Sequence, residues 1–156
     1  MAGRVVYLVR HGHCEGAGTL LGHQDVPLTA EGRAQAEVLA RELAGCGAER
    51  VVSSDLRRAA ETAQVIAAAM ALPVDLDPRL REISYGAWNG HPWQEGRAPA
   101  EPLADFQARV LAAWAAICAA PAAVTIVVAH RGVHAVILGD FGFEQPYGAA
   151  HRVEIP

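Results

Sequence analysis

Charge is scarce in this sequence, and what there is forms no run. Charged residues make up 19% of 156 positions, and the net charge is −4. Without a basic stripe, a nucleic-acid surface or a polybasic membrane patch is excluded. Cysteine is scarcer still. Cys14, Cys46 and Cys118 are odd in number and scattered, with no CxxC pair. That excludes a zinc ribbon and a disulfide framework, and it predicts reduced thiols in a cytoplasmic protein. Long hydrophobic runs are missing as well. The first apolar segment, from Val5, stops at Arg10, far short of a bilayer span. The start of the chain lacks the pattern of a secretory leader. No repeat or linker interrupts residues 1–156, so one domain is expected, as a monomer or a homodimer.

What is present suits a packed core. Apolar residues reach 52%, much of it alanine, which favours helices. Apolar runs alternate with amphipathic stretches. Val5–Val9 predicts a buried strand. A helix is expected from Thr29, as N-cap, to about Leu43, with Gly45 and Gly47 as the stop. Val51-Val52 predicts a short strand. Asp55 is expected to cap a helix with a buried stripe of Leu56, Ala59, Ala63, Ile66 and Met70, ended by Pro73. The stretch from Pro73 to Pro102 is irregular and predicts a cap or functional loop. A helix over Glu101–Ala119, a strand over Val124–Ala129, a helix from Val133 to about Leu138 and an edge strand at Arg152–Ile155 complete the pattern. Such alternation predicts an α/β three-layer sandwich: a mainly parallel sheet, helices on both faces and a small cap.

Two of these strands end in a histidine beside an arginine. Val5–Val9 runs into Arg10-His11-Gly12, and Val124–Ala129 runs into His130-Arg131-Gly132. Open α/β sheets bind ligands beyond the carboxyl ends of their strands. Both pairs therefore point to one crevice that holds and attacks an anion. Arg10 follows five apolar residues, where a cation needs a negative partner. Arg57 and Arg58 lie in the first turn of a predicted helix, against the helix dipole; a bound anion would offset that conflict, whereas solvation or pairing with Asp55 is the plainer account. Glu82 alone is an ordinary acid, and a salt bridge to Arg79 or Arg81 would explain it.

Taken together, these segments resemble the histidine phosphatase superfamily, in its phosphoglycerate mutase-like branch. The resemblance is carried by Leu8-Val9-Arg10-His11-Gly12, by Gly22, Asp25 and Pro27-Leu28-Thr29, and by Ser53-Ser54-Asp55-Leu56 with Arg58-Ala59 and Thr62-Ala63. Leu80, Glu82, Tyr85-Gly86, Trp88-Asn89-Gly90 and Val127-Val128-Ala129-His130 continue it, in order along most of the chain. It selects Arg58 over Arg57. It implies that His11 attacks phosphorus as nucleophile and that Glu82 protonates the leaving oxygen. Arg10, Arg58, His130 and Arg131 would hold the phosphoryl group. It implies no metal and no cofactor, and a small phosphorylated metabolite as partner, with α-ribazole 5′-phosphate a candidate. The chain departs from the family pattern at His13, Cys14 and Ala17, where an acid, a Ser or Thr and an Asn are usual, and at Arg131, where Gly often follows the second histidine.

Other readings of the same residues stay open. A mutase must shield its phosphohistidine from water, which in this family goes with long cap insertions and a closing tail; the short segment after Glu82 favours hydrolysis. A non-catalytic phosphate-binding module would explain the departures. A metal-dependent hydrolase would use the His11/His13 pair, although the folds that do so are barrels of about 250 residues. Tyr85, Trp88 and Trp93 could stack on a ring of the substrate or pack the cap.

Overall fold

The computed structural model describes residues 3–94 and 97–156. Its main sheet has the strand order β4-β3-β6-β1-β7. The strands are β1 (Arg4–Arg10), β3 (Arg50–Ser53), β4 (Val74–Leu76), β6 (Val124–Ala129) and β7 (Ala150–Ile155). Pairing is parallel throughout except between β1 and β7. A separate antiparallel ribbon joins β2 (Thr19–Leu20) to β5 (His91–Pro92). The mainly parallel α/β fold expected from the alternating pattern is the one observed.

The central strands are apolar on both faces because helices cover both. On one side Leu8, Val127 and Ala129 pack under α3 (Leu103–Ala119) and α4 (Arg131–Leu138), with Phe106, Val110 and Val133 at the contact. On the other, Val9, Ile126 and Val128 pack under α1 (Ala30–Glu42) and α2 (Arg57–Ala69), with Leu39, Ala63 and Ile66. The alternation along β6 is the strand's period of two.

Local expectations fare unevenly. Thr29 does cap α1, its hydroxyl accepting from the Gly32 amide at 3.1 Å. Asp55 does not cap α2. The N-cap is Leu56, with no side-chain bond of its own, and the exposed Arg57 amide donates instead to Asp25 Oδ1 at 2.8 Å. Asp55 is drawn away by Arg81, which grips it in a fork at 2.6 and 2.7 Å. A fork to arginine is stronger than a single neutral cap bond. The stretch after Pro73 is not wholly irregular: Val74–Leu76 forms an edge strand on β3. Helix α3 starts two residues later than expected, at Leu103, with Pro102 as N-cap. The final strand is longer, starting at Ala150. Cys14, Cys46 and Cys118 are free thiols. No helix among the described residues is long and apolar enough to cross a membrane.

One close approach fixes where β1 releases the chain. The backbone after β1 crosses the first turn of α1 so tightly that a Cβ on Gly12 would stand 2.5 Å from the Gly32 carbonyl oxygen, and one on Gly32 would collide with the His13 carbonyl. Both obstacles are backbone and cannot rotate away. Gly32→Ala is therefore expected to cost about 3 kcal/mol or more, the upper end for overpacking. Urea denaturation should show a lower midpoint with an unchanged slope.

Candidate active site

Strand register builds the site. In the parallel pair of β1 and β6, Arg10 lies opposite Ala129, so the next residues, His11 and His130, leave the sheet side by side. Their ring centroids are 5.1 Å apart and the rings are nearly edge-to-face. Both are buried, as is Arg58 at 1% exposure. Arg10, His11, Arg58, Glu82, His130 and Arg131 all line one cavity of about 460 Å³ beyond the strand ends. Arg57, next in sequence to Arg58, turns outward and pairs with Glu61 at 3.0 Å.

Each group is held by a bond that fixes its direction. His11 Nδ1 lies 2.8 Å from the Gly12 carbonyl oxygen. A carbonyl only accepts, so Nδ1 carries the proton and Nε2 keeps its lone pair. Burial, with the nearby Arg58 and Arg10 guanidiniums, holds the His11 imidazole well below its usual pKa, so the ring is neutral. His130 is held low by the same desolvation, by Arg58 and by His11. Its Nε2 meets Ser54 Oγ at 2.9 Å, and Ser54 Oγ already accepts from the Leu56 amide at 3.3 Å. The hydroxyl is thereby disposed to donate to Nε2, which leaves the proton on Nδ1.

Among the described residues, three buried polar atoms of cavity-lining side chains have no protein partner: Arg10 Nε, Arg58 Nε and His130 Nδ1. An unmade bond at a buried donor costs about 1–3 kcal/mol. Other donors of the same guanidiniums act as anchors. Arg58 donates to the Gly22 and Gln24 carbonyls, each at 2.8 Å, and Arg10 to the Gln145 carbonyl at 2.7 Å. Both arginines are thus tethered at one end with other donor groups beside the cavity, an arrangement that suits a tetrahedral anion. Glu82 lies across from them. Its Oε2 accepts from the Gly132 amide at 3.2 Å and its Oε1 from the Ile83 amide at 3.0 Å. Arg131 also faces the cavity while donating to the Phe143 carbonyl at 3.1 Å.

Other singled-out residues go elsewhere. His13 turns from the cavity to Thr29 Oγ1, at 2.8 Å. His134 is fully buried and donates from Nδ1 to Gln145 Oε1 at 2.6 Å. No cluster of three or more His, Cys, Asp or Glu suited to a metal occurs among the described residues. Tyr85 and Trp93 line the cavity, whereas Trp88 meets His91 edge-to-face. Ala17 is not among the lining residues. Tyr147 is, and sequence reasoning missed it. Its ring lies 3.9 Å from the Arg10 guanidinium carbon and 5.6 Å from the His11 ring. Gln145 was also missed; its side-chain amide donates to the Leu8 and Ala149 carbonyls and so ties the tail to β1. The only hint was the Gln145-Pro146-Tyr147-Gly148 turn, which carries no chemical signature.

The family model of the Histidine phosphatase superfamily (branch 1) matches residues 6–156. Over 83 residues the chain is 47% identical to a Serratia proteamaculans (strain 568) protein named "Probable phosphoglycerate mutase GpmB"; the match covers 52% of this chain and 39% of the relative. The chain thus spans about two fifths of the length of the curated relatives it matches. Among solved structures, α-ribazole phosphatase from Shigella flexneri superposes with a TM-score of 0.87 at 25% identity, covering 97% of this chain and 91% of that one. TTHB049 from Thermus thermophilus superposes at 0.77 with 34% identity, covering 96% and 92%.

The buried imidazoles make acid a destabiliser. His134 titrates at about 4 against a usual 6.5, chiefly through desolvation. Its folded state binds fewer protons than the unfolded chain, so its contribution is complete above pH 6.5 and is lost as pH falls towards 4. That shift is worth roughly 3 kcal/mol, and His11 and His130 act in the same direction. Thermal unfolding should therefore drop steadily from pH 6.5 to 4, and His134→Gln should flatten the slope.

Proposed function

The chain belongs to the histidine phosphatase superfamily, branch 1, and from that premise we propose that it hydrolyses phosphomonoesters of a small metabolite through a phosphohistidine. The observation that carries this reading is the 5.1 Å approach of two neutral, buried imidazoles inside a cavity that also holds Arg10, Arg58 and Glu82.

In the first step His11 Nε2 attacks phosphorus and the bond from phosphorus to the ester oxygen breaks. Glu82 gives its proton to the departing oxygen. In the second step water attacks the phosphohistidine, Glu82 takes the water proton, and the P–N bond breaks to release phosphate and His11. Arg10, Arg58, His130 and Arg131 stabilise the charge on the transferring group, which is the main demand of phosphoryl transfer. Each charge-assisted bond contributes about 1.5–3 kcal/mol. The first turn of α4 opens on the same space and adds its dipole. The roles use no metal and no cofactor. A cytoplasmic setting accords with the free thiols.

The outer cavity guides the substrate reading. Leu20, Ile83, Trp93, Leu103, Phe106 and Phe141 give the cavity an apolar lining, suited to a substrate that carries an aromatic base. α-Ribazole 5′-phosphate fits that description, and the Shigella flexneri neighbour is named for it. Phosphoglycerate transfer is the second reading, favoured by the 47% identity to the GpmB relative over 83 residues.

His11→Ala should abolish both turnover and the acid-labile phosphoenzyme; retained activity would overturn the nucleophile assignment. Chelation with EDTA should leave the rate unchanged, and loss restored by zinc would reverse that part of the proposal. ³¹P NMR with α-ribazole 5′-phosphate and with 3-phosphoglycerate should show inorganic phosphate from the former and little phosphoryl exchange in the latter. Rapid interconversion of phosphoglycerates would favour the mutase.

A further inference from the structure

Arg109 lies on α3, outside every motif that carries the family resemblance, and it does not line the cavity. Even so, all five N–H donors of its guanidinium are in use. Two go to Glu101, from Nε to Oε2 at 2.7 Å and from Nη2 to Oε1 at 2.8 Å. The other three go to one short segment: the carbonyls of Arg79 at 2.9 Å, Arg81 at 2.6 Å and Glu82 at 2.9 Å. The Glu82 carbonyl also accepts from His23 Nε2 at 2.8 Å. Glu101 in turn accepts from the Ser84 amide at 3.1 Å, so the loop is gripped on both sides of Glu82. Arg109 holds the Glu101 carboxyl below its usual pKa, keeping this ion pair charged, and its side chain is only 20% exposed.

We propose that Arg109 is a positioning residue for the proton donor, fixing the backbone at 79–82 so that the Glu82 carboxyl stays against the Gly132 amide and faces the transferred group. This rests on the reading of Glu82 as general acid. The physical basis is the fork. Three carbonyls at different angles and one carboxylate need a planar, five-donor cation; an ammonium offers three donors and no plane. The loop has no regular strand or long helix to hold it, only the short turn Pro78–Leu80. Misplacing a catalytic group by about 1 Å can cost roughly 10²-fold in rate.

The test exploits leaving groups. An alkyl phosphate needs its departing oxygen protonated; p-nitrophenyl phosphate hardly does. Arg109→Lys and, as a milder probe, Glu101→Gln would be compared with the unaltered chain on propyl phosphate and p-nitrophenyl phosphate. Melting temperatures would identify which variants fold. The expected result for the folded variants is a kcat/KM loss, which reads the first step alone, on the alkyl ester exceeding that on the nitrophenyl ester by about tenfold or more, a part of the roughly 10²–10⁴-fold that a general acid supplies. In a Glu82→Gln background the excess should vanish, since nothing remains to be positioned. Equal losses on both esters in a folded variant, or an excess that survives in Glu82→Gln, would overturn the proposal. If Glu82→Gln itself shows no leaving-group bias, the general-acid reading falls and this inference with it. If Glu82→Gln shows the bias and both folded variants lack it, the inference alone falls.

Discussion

The parallel register of β1 against β6 is the constraint on which the site depends. Adjacent strands in a sheet lie about 4.8 Å apart, and the ladder pairs Arg10 with Ala129. No further device is needed to bring His11 to His130: the hydrogen bonds of the sheet set the spacing, and the 5.1 Å ring separation follows from it. A slip by one residue would turn one histidine into the opposite helical layer. Such a slip is resisted because Leu8, Val127 and Ala129 on one face, and Val9, Ile126 and Val128 on the other, are committed to different cores.

Around that pair the chain solves a solvation problem with arginine alone. It contains no lysine. A buried guanidinium can be anchored by some of its donors while others stay directed elsewhere, which a compact ammonium does poorly. Arg58 spends two donors on the Gly22 and Gln24 carbonyls, and Arg10 spends one on Gln145. The cations are thus placed before any anion arrives, and its binding need not reorganise them. Burial of the same region keeps the imidazoles neutral, so the arrangement that attracts negative charge also leaves the His11 Nε2 lone pair free.

Much of this was legible in the sequence because its carriers are local. Apolar runs followed by Arg10-His11 and by His130-Arg131 announce strand ends with chemistry attached, and Thr29 announces a helix start. Arg58 could be chosen over Arg57 only through the family resemblance; the fold turns one inward and the other outward because adjacent helical positions face about 100° apart. What escaped was long-range. Asp55 looked like a cap, and the residue that draws it away, Arg81, is 26 positions distant. Tyr147, Gln145 and Arg109 act through backbone carbonyls, π faces and loops that only tertiary structure assembles. The β4 edge strand was hidden because Val74–Leu76 is too short and too exposed to show a period.

The contact between α4 and the acid-bearing loop has a wider implication. A Cβ on Gly132 would strike the Glu82 carboxylate, since the carboxyl occupies the space a side chain would take. The first turn of α4 and the Glu82 carboxyl are therefore a single fitted joint. One added methyl group on the helix would dislodge the carboxylate while sparing the imidazoles and guanidiniums. If Glu82 is the acid we propose, such a scaffold stands a single small step from a protein that still grips an oxyanion but no longer releases its ester, which would tie competence to the smallest of the amino acids.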